Sequence, residues 1–441
     1  MENIRNKLKY IKRTEKYKNH EYYSINKYII YNIYNKYYKY NKYNILLCLI
    51  FISFSISKQK INLISFDSEI MLTIKGKNKQ RILYNDNQKP SEILVNGNKA
   101  NNEDFCYVYD LTLEENEITI QYNKTLESCD MMFYGLSNII KIIFKRFEFS
   151  GNDMYGMFFG CSSLISLNLS HFNASSVTNM EYMFSDCISL ISLDLRNFNT
   201  SSATNMEYMF SGCISLISLD LGNFNTSSTT NMEFMFSGCS SLISLDLRNF
   251  NTSSVINMEY MFEDCNNLTS LDLSNFNTSS VRDMKFMFGR CRNLISLDLS
   301  HFSTSMVENM GGMFFGCSNL ISLDLRNFNI SSASNLTRMF QSCNNLISLD
   351  LRNFNTSSVI NMEYMFEGCS NFTSLDLSNF NTSLVENMGG MFSGCSSLIS
   401  LDLRNFNISS VYYMEYMFED CRNLISLDLR NFNTLSVSNI E

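Results

Sequence analysis

The sequence predicts an α/β fold: a leucine-rich-repeat-like solenoid with one short strand and one short helix per 26-residue repeat, preceded by a small β module. Two observations carry this. Eleven cysteines, Cys161, Cys187, Cys213, Cys239, Cys265, Cys291, Cys317, Cys343, Cys369, Cys395 and Cys421, recur every 26 residues inside one phrase. A fixed period of this order marks units that bury their apolar faces only by stacking on one another. Within each unit two hydrophobic periods follow one another. In residues 177–202, Met180, Met183, Phe184 and Cys187 are spaced i, i+3, i+4, i+7, as on one face of a short helix, and Asn179 stands where it would cap that helix. Leu193 and Leu195 then alternate with Ser192, Asp194 and Arg196, the period of a strand with one buried face.

In chain order, residues 1–43 form a lead rich in Lys, Asn and Tyr, read as disordered. Residues 44–57 hold the apolar run Ile45 to Ile56, too short for the roughly 20 residues that span a bilayer. It fits the core of a signal peptide, with cleavage after Ser57, or an uncleaved anchor given the long basic lead. Residues 58–128 read as a β module, with Ile70, Leu72 and Ile74 alternating, Ile118, Ile120 and Tyr122 alternating, and an Asn96-Gly97 turn. Residues 129–441 are the array of about 12 repeats, roughly 55 Å long at the strand spacing. Its first unit is divergent, with Leu136 in the cysteine column. After the strand carrying Leu427 and Leu429 no cap follows, so the sequence reads as a fragment or as an open edge available for end-to-end association.

The phrase Met-Phe-x-Gly-Cys-x-x-Leu-x-x-Leu-Asp-Leu-x-x-Phe-Asn-Thr-Ser-x-Val-x-Asn-Met, read from Met235 to Met258, resembles the repeat of BspA-like leucine-rich-repeat surface proteins over residues 129–441. The resemblance implies a secreted or cell-surface protein that binds matrix or host macromolecules, and it implies no catalytic residue.

Charge is unevenly placed. Residues 1–57 hold eleven Lys or Arg against three Glu, a balance of +8, so the remainder carries −16 of the overall −8. An acidic array is a poor partner for nucleic acid. The most regular polar feature is a column of aspartates between inward leucines: Asp194, Asp220, Asp246, Asp272, Asp298, Asp324, Asp350, Asp376, Asp402 and Asp428. Arg196, Arg248, Arg326, Arg352, Arg404 and Arg430 project two residues later from the same face. The column reads either as a self-paired, solvated charge ladder or as a binding face for a ligand that itself repeats, engaged by avidity. Asn-x-Ser/Thr recurs at Asn173, Asn199, Asn225, Asn251, Asn277, Asn329, Asn355, Asn381 and Asn407, as glycan acceptors or as turn formers at the strand exit. Variation between copies gathers at the pair after the first Met, which is Glu-Tyr in several repeats but Lys285-Phe286, Gly311-Gly312, Thr337-Arg338 and Gly389-Gly390 in others.

The cysteines complete the apolar face and no Cys-x-x-Cys pair exists, so they read as free, buried thiols rather than disulfides or metal ligands. His171 and His301 share a loop column with no distinguishing neighbour, and ten near-identical aspartates do not make the single unusual environment an active site needs. The expectation is a binding or adhesion module for a protein or polysaccharide, extracellular or at the cell surface, without catalysis, cofactor or metal. The alternatives are a cytosolic interaction scaffold and an accessory module of a carbohydrate-active enzyme.

Overall fold

The computed structural model describes residues 66–84, 88–100, 108–196, 198–430, 432 and 437. The basic lead, the apolar segment 44–57 and Cys106 lie outside the described residues, as does the expected anchor with them.

The N-terminal region folds as the alternation requires. β1 (Ser68–Lys75) buries Ile70, Leu72 and Ile74 and pairs antiparallel with β6 (Glu115–Tyr122), which buries Ile118, Ile120 and Tyr122. β2 (Asn78–Arg81) pairs with β5 (Val108–Leu111). β3 (Glu92–Val95) and β4 (Asn98–Lys99) form a hairpin whose turn residues Asn96 and Gly97 both have positive φ, 50° and 78°. On its other edge β1 pairs antiparallel with β7 (Ile139–Arg146), the strand of the first repeat, and β7 pairs in parallel with β8 (Ser166–Asn168) of the second. One sheet, ordered β4-β3-β6-β1-β7-β8, therefore runs from the β module into the array without a break at residue 128.

In the array the expected strands appear as β9 (Ser192–Asp194) with β10 (Ser218–Asp220) and as β11 (Ser400–Asp402) with β12 (Ser426–Asp428), each pair parallel with leucine opposite leucine and aspartate opposite aspartate. The expected helices are not there. No helix occurs among the described residues, which overturns the α/β class and the strand-plus-helix repeat. Residues Met180 to Cys187 instead make overlapping turns. The N–H groups of Met183, Ser185 and Cys187 donate three residues back, to the carbonyls of Met180, Tyr182 and Phe184, at 3.1–3.2 Å. The intervening N–H groups of Met180, Tyr182, Phe184 and Asp186 donate to Asn205, Glu207, Met209 and Ser211 of the next repeat, at 2.8–3.0 Å. An α-helix would spend every donor on its own i−4 carbonyl. Sharing half of them welds each repeat to its neighbour, which a two-turn helix, marginal by itself, could not do.

This geometry sends two positions per repeat to positive φ, Tyr182 at 57° and Asp186 at 57° in the same repeat. The second position is glycine in several copies, among them Gly212, Gly238, Gly316, Gly368 and Gly394, where an L-residue carries a steric cost. Asn179 does not cap a helix; its Oδ1 accepts the N–H of Glu181 at 3.2 Å, an Asx turn, and asparagines in this column bridge repeat to repeat from Asn179 to Asn387, with Asp283 among them.

The helical spacing nonetheless chose the right interior, because three- and four-residue steps also bring side chains inward through successive turns. Met180, Met183, Phe184, Cys187 and Leu190 are all 0% exposed, and so are their counterparts through the middle of the array, apart from exposures of 1%. The phenylalanines of this column stack without interruption from Phe133 to Phe418, ring centroids 5.4–5.9 Å apart. Every cysteine from Cys161 to Cys421 is free and donates its Sγ–H to the carbonyl of a Phe in the preceding repeat, as Cys291 does to Phe262 at 3.1 Å. Cys129 is buried as well. Burial raises the thiol pKa throughout, to about 12 at Cys161 and Cys213.

A buried threonine column adds a second weld. Thr200 Oγ1 donates to the carbonyl of Asn225 at 2.9 Å and accepts the N–H of the same residue at 2.9 Å, a clamp repeated at Thr226, Thr252, Thr278, Thr304, Thr356 and Thr382. In the last turns of the array Cys421 is half-buried and Leu429 is 39% exposed.

Candidate functional site

The strand segments hold their leucines inward and offer Ser192, Asp194, Arg196 and their counterparts to solvent. The Asp and Arg of one repeat pair with each other: Arg196 Nη2 lies 2.6 Å from Asp194 Oδ2, and the corresponding distances at Asp246–Arg248, Asp324–Arg326, Asp350–Arg352, Asp402–Arg404 and Asp428–Arg430 are 2.5–2.7 Å. Arg196 Nε also reaches Asp220 Oδ2 of the next repeat at 3.4 Å. Each aspartate has a further task. Asp194 Oδ1 accepts the backbone N–H of Arg196 at 3.1 Å, and where arginine is missing, Asp220, Asp272, Asp298 and Asp376 accept the N–H of Gly222, Ser274, Ser300 and Ser378 at 2.9–3.1 Å. The column thus closes an Asx turn at the exit of every strand segment. Hydrogen bonds from the Arg196 guanidinium and N–H hold Asp194 at about 2, and Asp246, Asp324, Asp350 and Asp402 are held there in the same way. These pairs are exposed, so their worth as ion pairs is small.

The asparagines of the Asn-x-Ser/Thr column serve the following turn. Asn173, Asn199, Asn225, Asn251, Asn277, Asn329, Asn355, Asn381 and Asn407 are exposed and each accepts, at Oδ1, the N–H two residues on at 3.0–3.2 Å. The turn role occupies Oδ1 and leaves the exposed side chain's amide nitrogen as the acceptor atom a glycan would need. His171 and His301 are exposed on the loop after the strand, and among the described residues no cluster of His, Cys, Asp and Glu is arranged to hold a metal.

The variable pair of each repeat lies on the turn face. Tyr182, Tyr208, Phe234, Tyr260 and Phe286 stack with centroids 4.3–5.1 Å apart. The stack ends at Gly312, where a Cβ would stand 2.5 Å from the Phe286 ring. Beside it runs a glutamate column: Asn205, Asn231 and Asn257 donate Nδ2 to Glu181, Glu207 and Glu233 at 2.8–3.0 Å, and Lys285 Nζ lies 2.7 Å from Glu259. Partial burial, then the flanking Glu207 and Glu259, raise Glu233 to about 7; Glu181 and Glu207 are raised as well.

The two columns give opposite pH dependences. Glu233 ionises near 4.5 when unfolded and about 7 when folded, so its contribution is full below 4.5 and is lost as pH rises through 7. Asp194, Asp246, Asp324, Asp350 and Asp402, 3.8 unfolded and about 2 folded, contribute above 3.8 and lose this as pH falls through 2. Thermal melts should therefore be highest near pH 4–5 (roughly the gap between the two windows). Glu233→Gln should flatten the decline towards pH 8, raising the Tm there by about 1–2 °C after allowance for solvent screening. An identical pH slope in the variant would contradict this origin.

One column of the strand side was not assigned from sequence. Ile191 is 49% exposed, and Ile165, Ile217, Ile243, Ile295, Ile321, Ile347, Ile399 and Ile425 stand in the same place with 45–86% exposure. By period two Ile191 is in phase with Leu193 and Leu195 and should be buried. Leu190, held inward by the turn from its N–H to the Cys187 carbonyl, already fills the interior, and Ile191 enters at the corner. Two adjacent apolar residues ahead of the alternation were the available signal.

Comparison with curated proteins finds no match. Among solved structures, one chain of the crystal structure of the TLR13-ssRNA13 complex is similar at 17% identity and a TM-score of 0.21; the match covers 61% of this chain and about half, 50%, of that one. A family model matches in overlapping stretches, residues 127–244, 152–270, 215–321, 241–348, 264–372 and 335–441, which together take in the whole array. The chain belongs to the family described as "Mycoplasma protein of unknown function, DUF285".

Proposed function

We propose that the array is a binding module that engages a macromolecule along the solvent side of its strand segments, and that it works at the cell surface or outside the cell in adhesion, without catalysis. The observation that carries this reading is the line of exposed isoleucines, present in most repeats, on the strand segments that also carry the exposed aspartates, since exposed apolar residues gathered in one place and rimmed by polar groups mark an interaction surface. The likeness to BspA-like surface repeats supports the location. A ligand that repeats, a polysaccharide or a fibrous protein, would gain most, because weak identical contacts add by avidity.

The test is a glycan and matrix-protein binding array with the full chain, compared with variants carrying Asp→Asn along the strand column and Ile→Ser along the isoleucine line. Lost binding supports the reading; binding unchanged in both sets removes this face from consideration. The free thiols favour a second reading, an intracellular scaffold, because oxidising compartments favour disulfides. Protease added to intact cells separates the two: a tagged C-terminus digested from outside supports the surface location.

A further inference from the structure

We propose that the isoleucine line is covered by a second copy of the same chain, in a two-fold dimer of antiparallel arrays centred on Ile321. The inference rests on the reading of the strand side as an interaction surface and names its occupant. Single exposed isoleucines are ordinary on a protein surface; a line of them at one position per repeat is not. What can cover it is limited by spacing. The members are joined by backbone hydrogen bonds, Ile217 N–H to Ile191 C=O at 2.9 Å and Ile321 N–H to Ile295 C=O at 3.2 Å, so they follow one another at the strand spacing of about 4.8 Å. An extended peptide presents same-face side chains every ~6.7 Å, a polyproline helix every ~9.3 Å and an α-helix one turn every ~5.4 Å. Each drifts out of step within a few repeats. Another copy of this array keeps the same spacing along its whole length.

The breaks in the line fix a register. Thr269 and Thr373 replace isoleucine and are both exposed, and each lies 52 residues from Ile321, on opposite sides. A two-fold axis lying in the interface along the strand direction at Ile321 sets Thr269 against Thr373, Ile295 against Ile347, Ile243 against Ile399 and Ile217 against Ile425, with no isoleucine facing a threonine. The same axis lays the aspartate columns over one another with partial charge complementarity. Asp298, which has no arginine in its repeat, faces Asp350–Arg352, and Asp220 faces Asp428–Arg430. Only the rows of Asp272 and Asp376 meet without an arginine, at the threonine pair. Six half-exposed isoleucines and the more exposed Ile425 offer roughly 500 Å² of apolar surface per copy, and the flanking serine and aspartate–arginine columns bring the contact near the ~800 Å² per partner of a stable interface.

Sedimentation of the full chain tests this without any ligand. The expected result is a particle of twice the 51.1 kDa chain mass that falls to the single mass in the variant Ile295→Asp, Ile321→Asp, Ile347→Asp, with the buried thiols of that variant still unreactive as proof of folding. Oxidation of Ile321→Cys should link two copies, whereas Ile243→Cys should link to Ile399→Cys in a mixture and not to itself. A wild-type chain of single mass, or a dimer that survives the triple substitution, overturns the dimer; self-linkage of Ile243→Cys overturns the antiparallel register. Ligand capture in the binding array is read separately, so a chain that stays single yet binds ligand defeats this inference and leaves the proposed function intact.

Discussion

Phe288→Ala should destabilise the array by about 3–5 kcal/mol, the range for deleting a ring from a closed core. Phe288 is 0% exposed and stacked between Phe262 and Phe314 at 5.7 and 5.9 Å, so the change hollows two inter-repeat contacts at once. In a solenoid, stability is a sum of repeat and nearest-neighbour terms, and weakening both contacts of one repeat splits the cooperative unit there. Denaturant unfolding should turn from a single transition into two. Phe286→Ala, two residues away on the partly exposed turn face, removes one end of the outer stack and should cost below about 1 kcal/mol. Equal losses from the two changes would mean that the inner ladder does not bear the stability assigned to it.

Cys291→Asp should be more damaging still. The thiol sits among apolar side chains, where it donates to the Phe262 carbonyl and its sulfur meets the backbone of Cys265. A carboxylate of similar size there would have no cation within the core and would face the Phe262 carbonyl as a second acceptor, and one backbone hydrogen bond from Cys265 does not offset its desolvation, so the cost is several kcal/mol. Cys291→Ala, which loses only volume and one weak hydrogen bond, should cost about 1 kcal/mol. Because the buried acid is neutral at low pH, the aspartate variant should regain part of its helix-free, array-type circular dichroism near pH 4, while the alanine variant should show no such recovery. An aspartate variant as stable as the alanine one at pH 7 would place position 291 in contact with water.

The periodicity made the interior legible and the secondary structure illegible, for one reason. Steps of three and four residues select the same inward positions, Met180, Met183, Phe184 and Cys187, in a helix and in a succession of turns. What separates the two is the destination of the backbone donors, which side-chain spacing does not encode. The glycine just before the cysteine in repeats such as those of Gly212 and Gly238 was the sequence's clue, since a glycine in the middle of a two-turn helix is costly and a positive-φ corner needs one. The aspartate–arginine pairing followed from an i, i+2 spacing on one strand face and appears in the structure at that spacing within repeats, with Arg196 reaching Asp220 of the next repeat as well. The threonine clamps and the isoleucine line were missed because each depends on where a neighbouring residue sits: Thr200 on the Asn225 backbone of the next repeat, Ile191 on Leu190 taking the interior first.

The 26-residue copies share one continuous dry core. Thiol labelling of the native chain, read residue by residue by mass spectrometry across a denaturant series, tests it most directly, because thiolate reactivity reports access and pKa together. Cys187 to Cys369 should stay unlabelled in native buffer and become reactive together at one denaturant concentration, with the half-buried Cys421 reacting first. Rapid native labelling of mid-array cysteines such as Cys265 or Cys291, or their release one at a time at separate concentrations, would contradict it.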